Sequence, residues 1–162
     1  MPAVKFNTAF IAFGSNKGDA RKNITDATAM LKALGDVEKT SPLFITEPEG
    51  FKDQPDFING ALILKTALSA PGLLKSLKDI EAKAGRQKTF TNGPREIDFD
   101  IIFFNNEVID APDLKIPHPR AKERSFVLLP LSCIAPRHKH PQTGESVLQV
   151  LNKVIKTKQP EE

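Results

Sequence analysis

Apolar residues follow two patterns along this chain, short continuous runs and stripes with helical spacing. The runs are bounded by Gly, Pro and Asn clusters and are too short for helices, so they predict buried strands. The strongly apolar runs lie at residues 9–13, 57–64 and 97–104, and a weaker one lies at residues 37–46.

Helical spacing of apolar residues predicts two helices between these strands. The first begins after Asp19, a candidate N-cap, and ends at Gly35. The second begins after Ser69, and Glu81 lies close to its apolar stripe, so we expect that carboxylate to face inward. Two further helices are predicted nearer the C-terminus, at residues 125–136 and 146–155.

The order strand, helix, strand, strand, helix, strand is typical of a ferredoxin-like split βαβ sheet. We therefore predict an α+β fold with this sheet, an added C-terminal hairpin and C-terminal helices. The hairpin is expected to turn at Asn105-Asn106 and to return along residues 107–109. With 162 residues, 40% of them hydrophobic, the chain is predicted to form a single domain over residues 1–162, with residues 156–162 frayed. This order predicts architecture and not activity.

The strand at residues 97–104 carries the most informative chemistry. Side chains alternate along a strand, so Asp98 and Asp100 are expected on one face, about 7 Å apart. Two carboxylates at the start of a covered strand suit one or two Mg²⁺ ions, which prefer oxygen ligands and often bind together with a phosphate. The predicted alternation places Ile102 and Phe104 with the aspartates, and Ile97, Phe99, Ile101 and Phe103 on the opposite face.

Basic side chains on both sides of this strand favour a metal site over a solvated strand end. A bare Asp-x-Asp pair is short and common, and by itself it more often marks a solvated end. Metal, cations and closing loops are the parts that phosphoryl transfer needs. The sequence has no Gly-x-x-x-x-Gly-Lys phosphate loop, so any ATP chemistry follows a different scheme. The basic residues are Arg86, Lys88, Arg95, Arg120 and Arg124.

Two polar loops and several isolated polar residues have roles that the residues alone leave open. The loops at residues 47–56 and 86–93 are long enough to act as lids. Asn59 interrupts an apolar strand, and either neighbouring backbone or a ligand can satisfy its amide. The turn at residues 14–16 either receives an anion or ring edge or simply joins a strand to a helix. His118 lies between two prolines that fix its direction, although a lone loop histidine is usually solvated.

Composition and charge exclude only a few classes of protein. A net charge of +3 and a pI near 9.0 do not require that the protein binds nucleic acid. A small ligand with several phosphates explains local basic clusters equally well. The chain has no membrane-length apolar run and no signal-peptide pattern, so we expect a cytoplasmic protein. Cys133 is the one cysteine, which excludes an intramolecular disulfide and a thiolate zinc site. Its apolar neighbours predict a buried, inert thiol.

Several sequence blocks, in order, resemble the 6-hydroxymethyl-7,8-dihydropterin pyrophosphokinase family. The resemblance spans most of the chain, from about residue 9 to about residue 151. Its most diagnostic part is Gly-Pro-Arg-x-x-Asp-x-Asp, which occurs together with Asp-Gln-Pro-Asp-Phe-x-Asn. The blocks are Phe-Gly-Ser-Asn at residues 13–16, Asp-Gln-Pro-Asp-Phe-Ile-Asn at 53–59, Gly-Pro-Arg-Glu-Ile-Asp-Phe-Asp at 93–100, and Pro-His-Pro-Arg at 117–120 with Arg-Ser-Phe at 124–126.

This resemblance implies transfer of pyrophosphate from ATP to the hydroxymethyl group of the reduced pterin, with release of AMP, in folate biosynthesis. It implies that Asp98 and Asp100 hold two Mg²⁺ ions and that Asp98, Asp100 and Arg95 are catalytic. Asn59 would read the pterin edge, Phe126 would stack on its ring, and Thr46, Pro48 and Phe57 would line its pocket. The residues implied to contact ATP or lie near it are Glu81, Arg86, Lys88, Arg95, Ile101, His118 and Arg124.

The implied partners are these two small molecules, and neither nucleic acid nor a membrane. We expect a monomer that can associate with other folate-pathway enzymes. Three positions depart from the family pattern, and they bear on how the loops close over the pterin. Asn92 stands where the best-known members carry a loop tryptophan, and Pro119 stands where they carry a tyrosine. Lys88 replaces an arginine, which keeps the charge but loses the two-pronged geometry.

Two other classes of protein compete with this interpretation. A metal-dependent nucleotidyltransferase also pairs a Gly-Ser turn with an Asp-x-Asp strand. There the turn immediately precedes the helix leading to the aspartates, whereas here Gly14-Ser15 lies far upstream. A ferredoxin-like RNA-binding module stacks bases on exposed strand aromatics. Phe99 and Phe103 could serve that purpose, although core packing is the commoner role of aromatics on a central strand.

Overall fold

A computed structural model defines the fold over residues 5–48, 50–84 and 95–158. These residues form strands and α-helices, with short 3₁₀ turns at Leu31–Ala33 and Ala121–Glu123. In chain order the elements are β1 (Asn7–Ser15), α1 (Ala20–Met30), β2 (Asp36–Thr40), β3 (Phe44–Thr46), β4 (Phe57–Thr66), α2 (Ala70–Lys83), β5 (Asp98–Phe104), β6 (Ile109–Ala111), β7 (Leu114–Ile116), α3 (Ser125–Ile134) and α4 (Val147–Lys158).

One five-stranded antiparallel sheet organises the described residues. Its strand order is β2-β4-β1-β5, and β3 pairs with the first residues of β4 beside β2. β1 therefore lies at the centre and contacts β4 on one side and β5 on the other. β6 and β7 form a separate antiparallel hairpin. Over the residues that the structure describes, the fold is thus α+β, with an antiparallel sheet, an added hairpin and four α-helices.

Each face of the sheet is covered by its own pair of helices. α1 and α2 pack on one face around Ile11, Leu62 and Leu77, which we call the first core. α3 and α4 pack on the other face around Ala61 and Leu131, which we call the second core. Because both faces are covered, β1 and β4 carry continuous apolar runs rather than alternating apolar and polar residues.

A β-bulge in β5 changes the predicted alternation of its side chains. Ile11 pairs with Ile101, but the preceding Phe10 pairs with Phe103, so Ile102 is the extra residue. Ile102 and Phe103 both lie in the second core, and Phe104 lies in the first. The predicted faces of Phe103 and Phe104 are therefore wrong, because an inserted residue reverses the alternation beyond it.

The strand predicted at residues 37–46 is present as two short strands. Residues 41–43 interrupt it between β2 and β3. There Ser41 uses its backbone N–H to donate to the Ala61 carbonyl at 2.8 Å, while its Oγ accepts from Ala61 N–H at 2.9 Å. Pro42 follows and has no backbone N–H to donate, so a regular ladder cannot continue through it.

The predicted C-terminal hairpin lies a few residues later than expected. The turn at residues 105–106 is present, and Asn105 adopts a left-handed φ of 53° that favours Asn. The chain does not return along β5, however. Ile109 pairs with Ile116 across a second turn at residues 112–113, so the hairpin is β6–β7.

Both predicted helix caps are confirmed. The side chain of Asp19 accepts from Lys22 N–H, and that of Ser69 accepts from Gly72 N–H. The last helix continues past its expected end to Lys158. Across the residues that the structure covers, none of the helices combines the length and the apolar character that a membrane span requires.

The prediction that Cys133 is buried is wrong. Cys133 is exposed, as is Leu129 four residues earlier. Residues four apart lie on the same side of a helix, and this side of α3 faces outward. Leu131 and Ile134 lie on the other side and pack into the second core.

Candidate functional site

A cavity of about 410 Å³ lies where β1 ends and where β4 and β5 begin. Its volume is in the range of small-molecule sites. It extends from the face covered by α3 round to the side chains of α2. The described residues that line it are Ala12, Phe13, Gly14, Thr46, Glu47, Phe57, Asn59, Leu74, Leu77, Lys78, Glu81, Arg95, Asp98, Phe99, Asp100, His118, Arg124, Phe126 and Val127.

The register of three strands brings the polar residues of this cavity together. Gly14 of β1 pairs with Asn59 of β4 on one side and with Asp98 of β5 on the other. Two residues earlier on β1, Ala12 pairs with Ala61 of β4 and with Asp100 of β5. Asn59, Asp98 and Asp100 therefore share one face of the sheet, separated by glycine and alanine that leave the floor open.

One side of the cavity, which we call the acidic wall, consists of Arg95, Asp98 and Asp100. Arg95 Nη1 contacts Asp98 Oδ1 at 3.3 Å, and His118 Nε2 lies 3.8 Å from Asp100 Oδ1. Both carboxylates are half-buried, at 31% and 36% side-chain exposure. A positively charged or protonatable group thus lies beside each aspartate, at an edge where a ligand can reach it.

His118 is oriented by its backbone neighbours. Its N–H donates to the Ile102 carbonyl at 3.0 Å, which ties the loop to β5. Its Nδ1 accepts from Arg120 N–H at 3.2 Å. A neutral ring with Nδ1 as acceptor carries its proton on Nε2, the atom that faces Asp100. The proline-flanked histidine is therefore aimed into the site.

The opposite side, which we call the amide wall, consists of Thr46, Phe57 and Asn59. Asn59 is 7% exposed, and its Nδ2 donates to the hydroxyl of Thr46. Phe57 and Thr46 are partners across β3 and β4. A fixed amide beside an aromatic ring suits recognition of a flat heterocycle with hydrogen-bonding edges.

Arg124 and Phe126 lie at the start of α3, above the same face of the sheet. The guanidinium carbon of Arg124 lies 5.5 Å from the centre of the Phe126 ring, which is a cation–π distance. Phe126 is partly buried against the second core. This packing orients the Phe126 side chain before any ligand arrives.

Glu81 faces inward, as its position near the stripe of α2 predicts. It is 6% exposed, and its Oε2 accepts from the N–H of Phe99 at 2.8 Å. Within the described part of the sheet β5 pairs with β1 alone, and here a side chain rather than a second strand accepts the N–H. Glu81 therefore joins α2 to the strand that carries the aspartates.

The donor set limits which metal the site can hold. Within residues 5–48, 50–84 and 95–158, no cluster of three or more His, Cys, Asp or Glu side chains could hold a metal ion. Two carboxylates alone do not complete a coordination shell. Two carboxylates suit an ion such as Mg²⁺, which keeps several waters and takes further oxygens from substrate phosphates.

Most of the predicted site residues lie together around the cavity, and a few lie elsewhere. Every described residue of the predicted site lines the cavity except Pro48 and Ile101. The Ile101 side chain is buried in the first core at 5% exposure. Arg86, Lys88 and the departing Asn92 lie outside the described residues.

The sequence analysis gave the side chains of Lys78 and Glu47 no role, and it considered Asn16 only as part of the turn at residues 14–16. Lys78 and Glu47 line the cavity. Lys78 precedes Glu81 by three residues on α2, and that helical spacing could have revealed it. Asn16 is 3% exposed and contacts residues far away in sequence, so no local pattern could have indicated its role.

Comparison with known proteins gives consistent results. The sequence profile of the family described as 7,8-dihydro-6-hydroxymethylpterin-pyrophosphokinase (HPPK) matches residues 10–136. The 2-amino-4-hydroxy-6-hydroxymethyldihydropteridine pyrophosphokinase of Bacillus subtilis is 43% identical over 128 residues, which cover 78% of this chain and 77% of that protein. Folic acid synthesis protein FOL1 of Dictyostelium discoideum is 45% identical over 135 residues, which cover 83% of this chain and 20% of that protein.

The chain spans about a fifth of the length of FOL1 and of two similarly named relatives. Among solved structures, the crystal structure of Plasmodium falciparum HPPK-DHPS with pteroate matches with a TM-score of 0.77 and 19% sequence identity. The match covers 96% of this chain and 44% of that one. At this identity the likeness concerns the fold alone.

Proposed function

This chain belongs to the 7,8-dihydro-6-hydroxymethylpterin-pyrophosphokinase family, and on that premise we propose its reaction. It transfers pyrophosphate from ATP to the hydroxymethyl group of 6-hydroxymethyl-7,8-dihydropterin and releases AMP, as a step of folate biosynthesis. The observation that carries this proposal is a single cavity with two chemically different sides. The acidic wall suits a metal-bound polyphosphate, and the amide wall suits a flat heterocycle.

We propose that Asp98 and Asp100 hold two Mg²⁺ ions together with phosphate oxygens of ATP. The donor set supports this, since the described residues bring no third His, Cys, Asp or Glu to the two carboxylates, which leaves positions for phosphate and water. Bound Mg²⁺ would neutralise charge on the transferring group. Arg95 adds a fixed positive charge beside Asp98, and His118 and Arg124 face the same space.

In the proposed reaction the pterin hydroxyl oxygen attacks the β-phosphorus of ATP. The new bond joins that oxygen to the β-phosphorus, and the bond from the β-phosphorus to the oxygen bridging it to the α-phosphorus breaks, which releases AMP. Asp98 is the candidate acceptor for the hydroxyl proton. Most of the rate would come from alignment of the two substrates and from charge neutralisation by Arg95 and the other cations.

We assign the pterin to the amide wall. Asn59 would hydrogen-bond to the amide-like edge of the pterin, and Phe126 would stack on its ring. Thr46 supports this assignment because it holds the Asn59 amide in place, and Phe57 lies next to Thr46 across the strands. Pro48 and Ile101 do not line the cavity, so any contact they make would follow movement of the β3–β4 loop or involve backbone atoms. Glu81, Arg86 and Lys88 complete the proposed nucleotide contacts.

We further propose that the sheet is of the ferredoxin-like split βαβ type, that the chain is a cytoplasmic monomer, and that it can associate with other folate-pathway enzymes. The strand order β2-β4-β1-β5 supports the first proposal. The combined name of the HPPK-DHPS chain from Plasmodium falciparum supports the last. The rival RNA-binding role is disfavoured because Phe99 and Phe103 are 6% and 4% exposed, too little for base stacking.

The decisive experiment identifies the nucleotide product. The chain is incubated with ATP, Mg²⁺ and 6-hydroxymethyl-7,8-dihydropterin, and products are separated by anion-exchange chromatography. We expect AMP and the pterin diphosphate in equal amounts, and no product when Mg²⁺ is chelated. Recovery of ADP would indicate single-phosphate transfer, and a nucleotidylated pterin would indicate a nucleotidyltransferase. Either result would overturn the proposal.

A further inference from the structure

Asn16 forms hydrogen bonds with two segments that are far apart in the sequence. Its backbone N–H donates to the Arg95 carbonyl at 3.0 Å, and its Oδ1 accepts from Arg95 N–H at 2.9 Å. Its Nδ2 donates to Gln54 Oε1 and to the Pro55 carbonyl, both at 2.9 Å. The amide thus uses both hydrogens and its oxygen while it is 3% exposed.

Each of these segments leads directly into one wall of the cavity. Arg95 belongs to the acidic wall and lies three residues before Asp98, where β5 begins. Gln54 and Pro55 precede β4, whose first residues, Phe57 and Asn59, belong to the amide wall. The buried Asn16 side chain therefore links the segment that precedes the acidic wall to the segment that precedes the amide wall. A buried amide that lost these partners would leave polar groups unsatisfied, so the link is expected to be rigid.

We propose that Asn16 is a positioning residue that fixes the separation between the acidic wall and the amide wall. This inference rests on the proposed function, in which the nucleotide binds one wall and the pterin the other. Reacting atoms must approach to about 3–3.5 Å, and a misplacement of about 1 Å can cost about 100-fold in rate. Each wall keeps its own ligand-contacting side chains when Asn16 is replaced. The rate of the joint reaction should therefore suffer more than the binding of either substrate alone.

The test compares Asn16→Ala and Asn16→Asp with the wild-type chain. Asn16→Asp keeps an acceptor for Arg95 N–H but loses both donors to the Gln54–Pro55 segment. For both variants we expect kcat for AMP formation to fall by about 10- to 100-fold. The Kd of the pterin alone, and of a non-hydrolysable ATP analogue alone, should stay within about threefold. This separation of rate from binding is the signature of positioning.

Substitutions at Gln54 test whether Asn16 acts through the β3–β4 loop. Gln54→Ala removes one acceptor of the Asn16 amide, whereas Gln54→Glu keeps an acceptor oxygen. We expect Gln54→Glu to retain more kcat than Gln54→Ala. We also expect Gln54→Ala to lower kcat little further when Asn16 is already replaced by alanine. The effects of two substitutions that remove the same contact are not additive. Full additivity would mean that the two residues act separately, and would overturn the link.

Asn23→Ala is the matched control. Asn23 Nδ2 donates to the Lys17 carbonyl at 2.8 Å, within the connection that follows Asn16. We expect it to lower the Tm but leave kcat unchanged. The inference is overturned if Asn23→Ala lowers kcat as much as Asn16→Ala, if kcat of Asn16→Ala stays near wild type, or if single-substrate Kd values rise as far as kcat falls. The wild-type assay comes first, since its failure would overturn the proposed function as well.

Discussion

The side chain of Asn59 lies directly over the backbone of Gly14. The two residues are partners across β4 and β1, and a Cβ atom built on Gly14 would stand 2.4 Å from Asn59 Oδ1. Real Cβ atoms do not approach an oxygen so closely. Glycine at this position is therefore what allows the amide to lie flat across the neighbouring strand.

Gly14→Ala is expected to displace the Asn59 amide and to weaken pterin binding. Loss of one buried hydrogen-bonding group costs about 1–3 kcal/mol, or about 5- to 150-fold in affinity. The Kd of the pterin, measured by fluorescence or calorimetry, should rise accordingly. In the Asn59→Ala background the added methyl group meets no amide, so Gly14→Ala should then cost much less. An equal cost in both backgrounds would show that the contact is not responsible.

Asp98→Asn and Asp100→Asn are each expected to lower kcat by about 100-fold or more, since each removes a charged ligand of the metal proposed at the acidic wall. Both side chains are half-buried, so the Tm should change little. Asp110→Asn is the control. Asp110 is 83% exposed and pairs with Lys115 in the β6–β7 hairpin, away from the cavity. A near-normal rate for either site variant would remove the basis of the metal assignment.

Glu81→Ala and Glu81→Gln are expected to differ in stability. Alanine leaves the N–H of Phe99 without its acceptor, which costs about 1–3 kcal/mol in the free energy of unfolding. Glutamine keeps an acceptor oxygen of the same reach and should cost much less. Urea denaturation without ligands measures both, and this separates stability from any role of Glu81 in nucleotide binding. Equal losses would mean that the hydrogen bond to Phe99 contributes little.

Stability is expected to fall in mildly acidic solution because of His138. Burial, with the nearby His140 charge, lowers the pKa of His138, whose ring lies 4.2 Å from Phe10 and 4.7 Å from Phe103 between ring centres. The unfolded chain then binds a proton more readily than the folded one. The stabilisation is complete above about pH 6.5 and is lost as the pH falls towards the folded-state pKa.

The pKa of His140 is also lowered, by burial and by Lys122, while Glu145 opposes the shift. We therefore expect the Tm to drop as the pH falls below about 6.5. His138→Phe keeps an aromatic ring against Phe10 but cannot titrate, so the drop should be smaller in this variant. Thermal melts at a series of pH values measure it. An unchanged pH profile would exclude His138 as a cause.

The residues alone predicted much of the secondary structure and the core of the site. Alternation in β5 placed Asp98 and Asp100 on one face, and the helix caps at Asp19 and Ser69 are confirmed. These features follow from local rules, since the period of a strand and the first turn of a helix depend on a few neighbouring residues. The paired aspartates beside Arg95 indicated a metal and phosphate site for the same reason.

The tertiary structure decided the features that depend on pairing between distant segments. The bulge at Ile102 appears only when β5 aligns with β1, and it reverses the faces of Phe103 and Phe104. The outward side of α3 exposes Cys133 because other residues of that helix fill the second core. Neither outcome depends on the residues next to it in sequence.

Asn59 and Asn16 show most clearly which features the sequence determines and which depend on the tertiary structure. The sequence by itself determined that an amide would interrupt an apolar strand and that a turn would follow β1. Only the folded chain decided that Gly14 clears the space for the first amide and that the second links Gln54 to Arg95. A hydrogen bond between residues dozens of positions apart forms only when the pairing of the strands brings them together. A local sequence pattern does not determine that pairing.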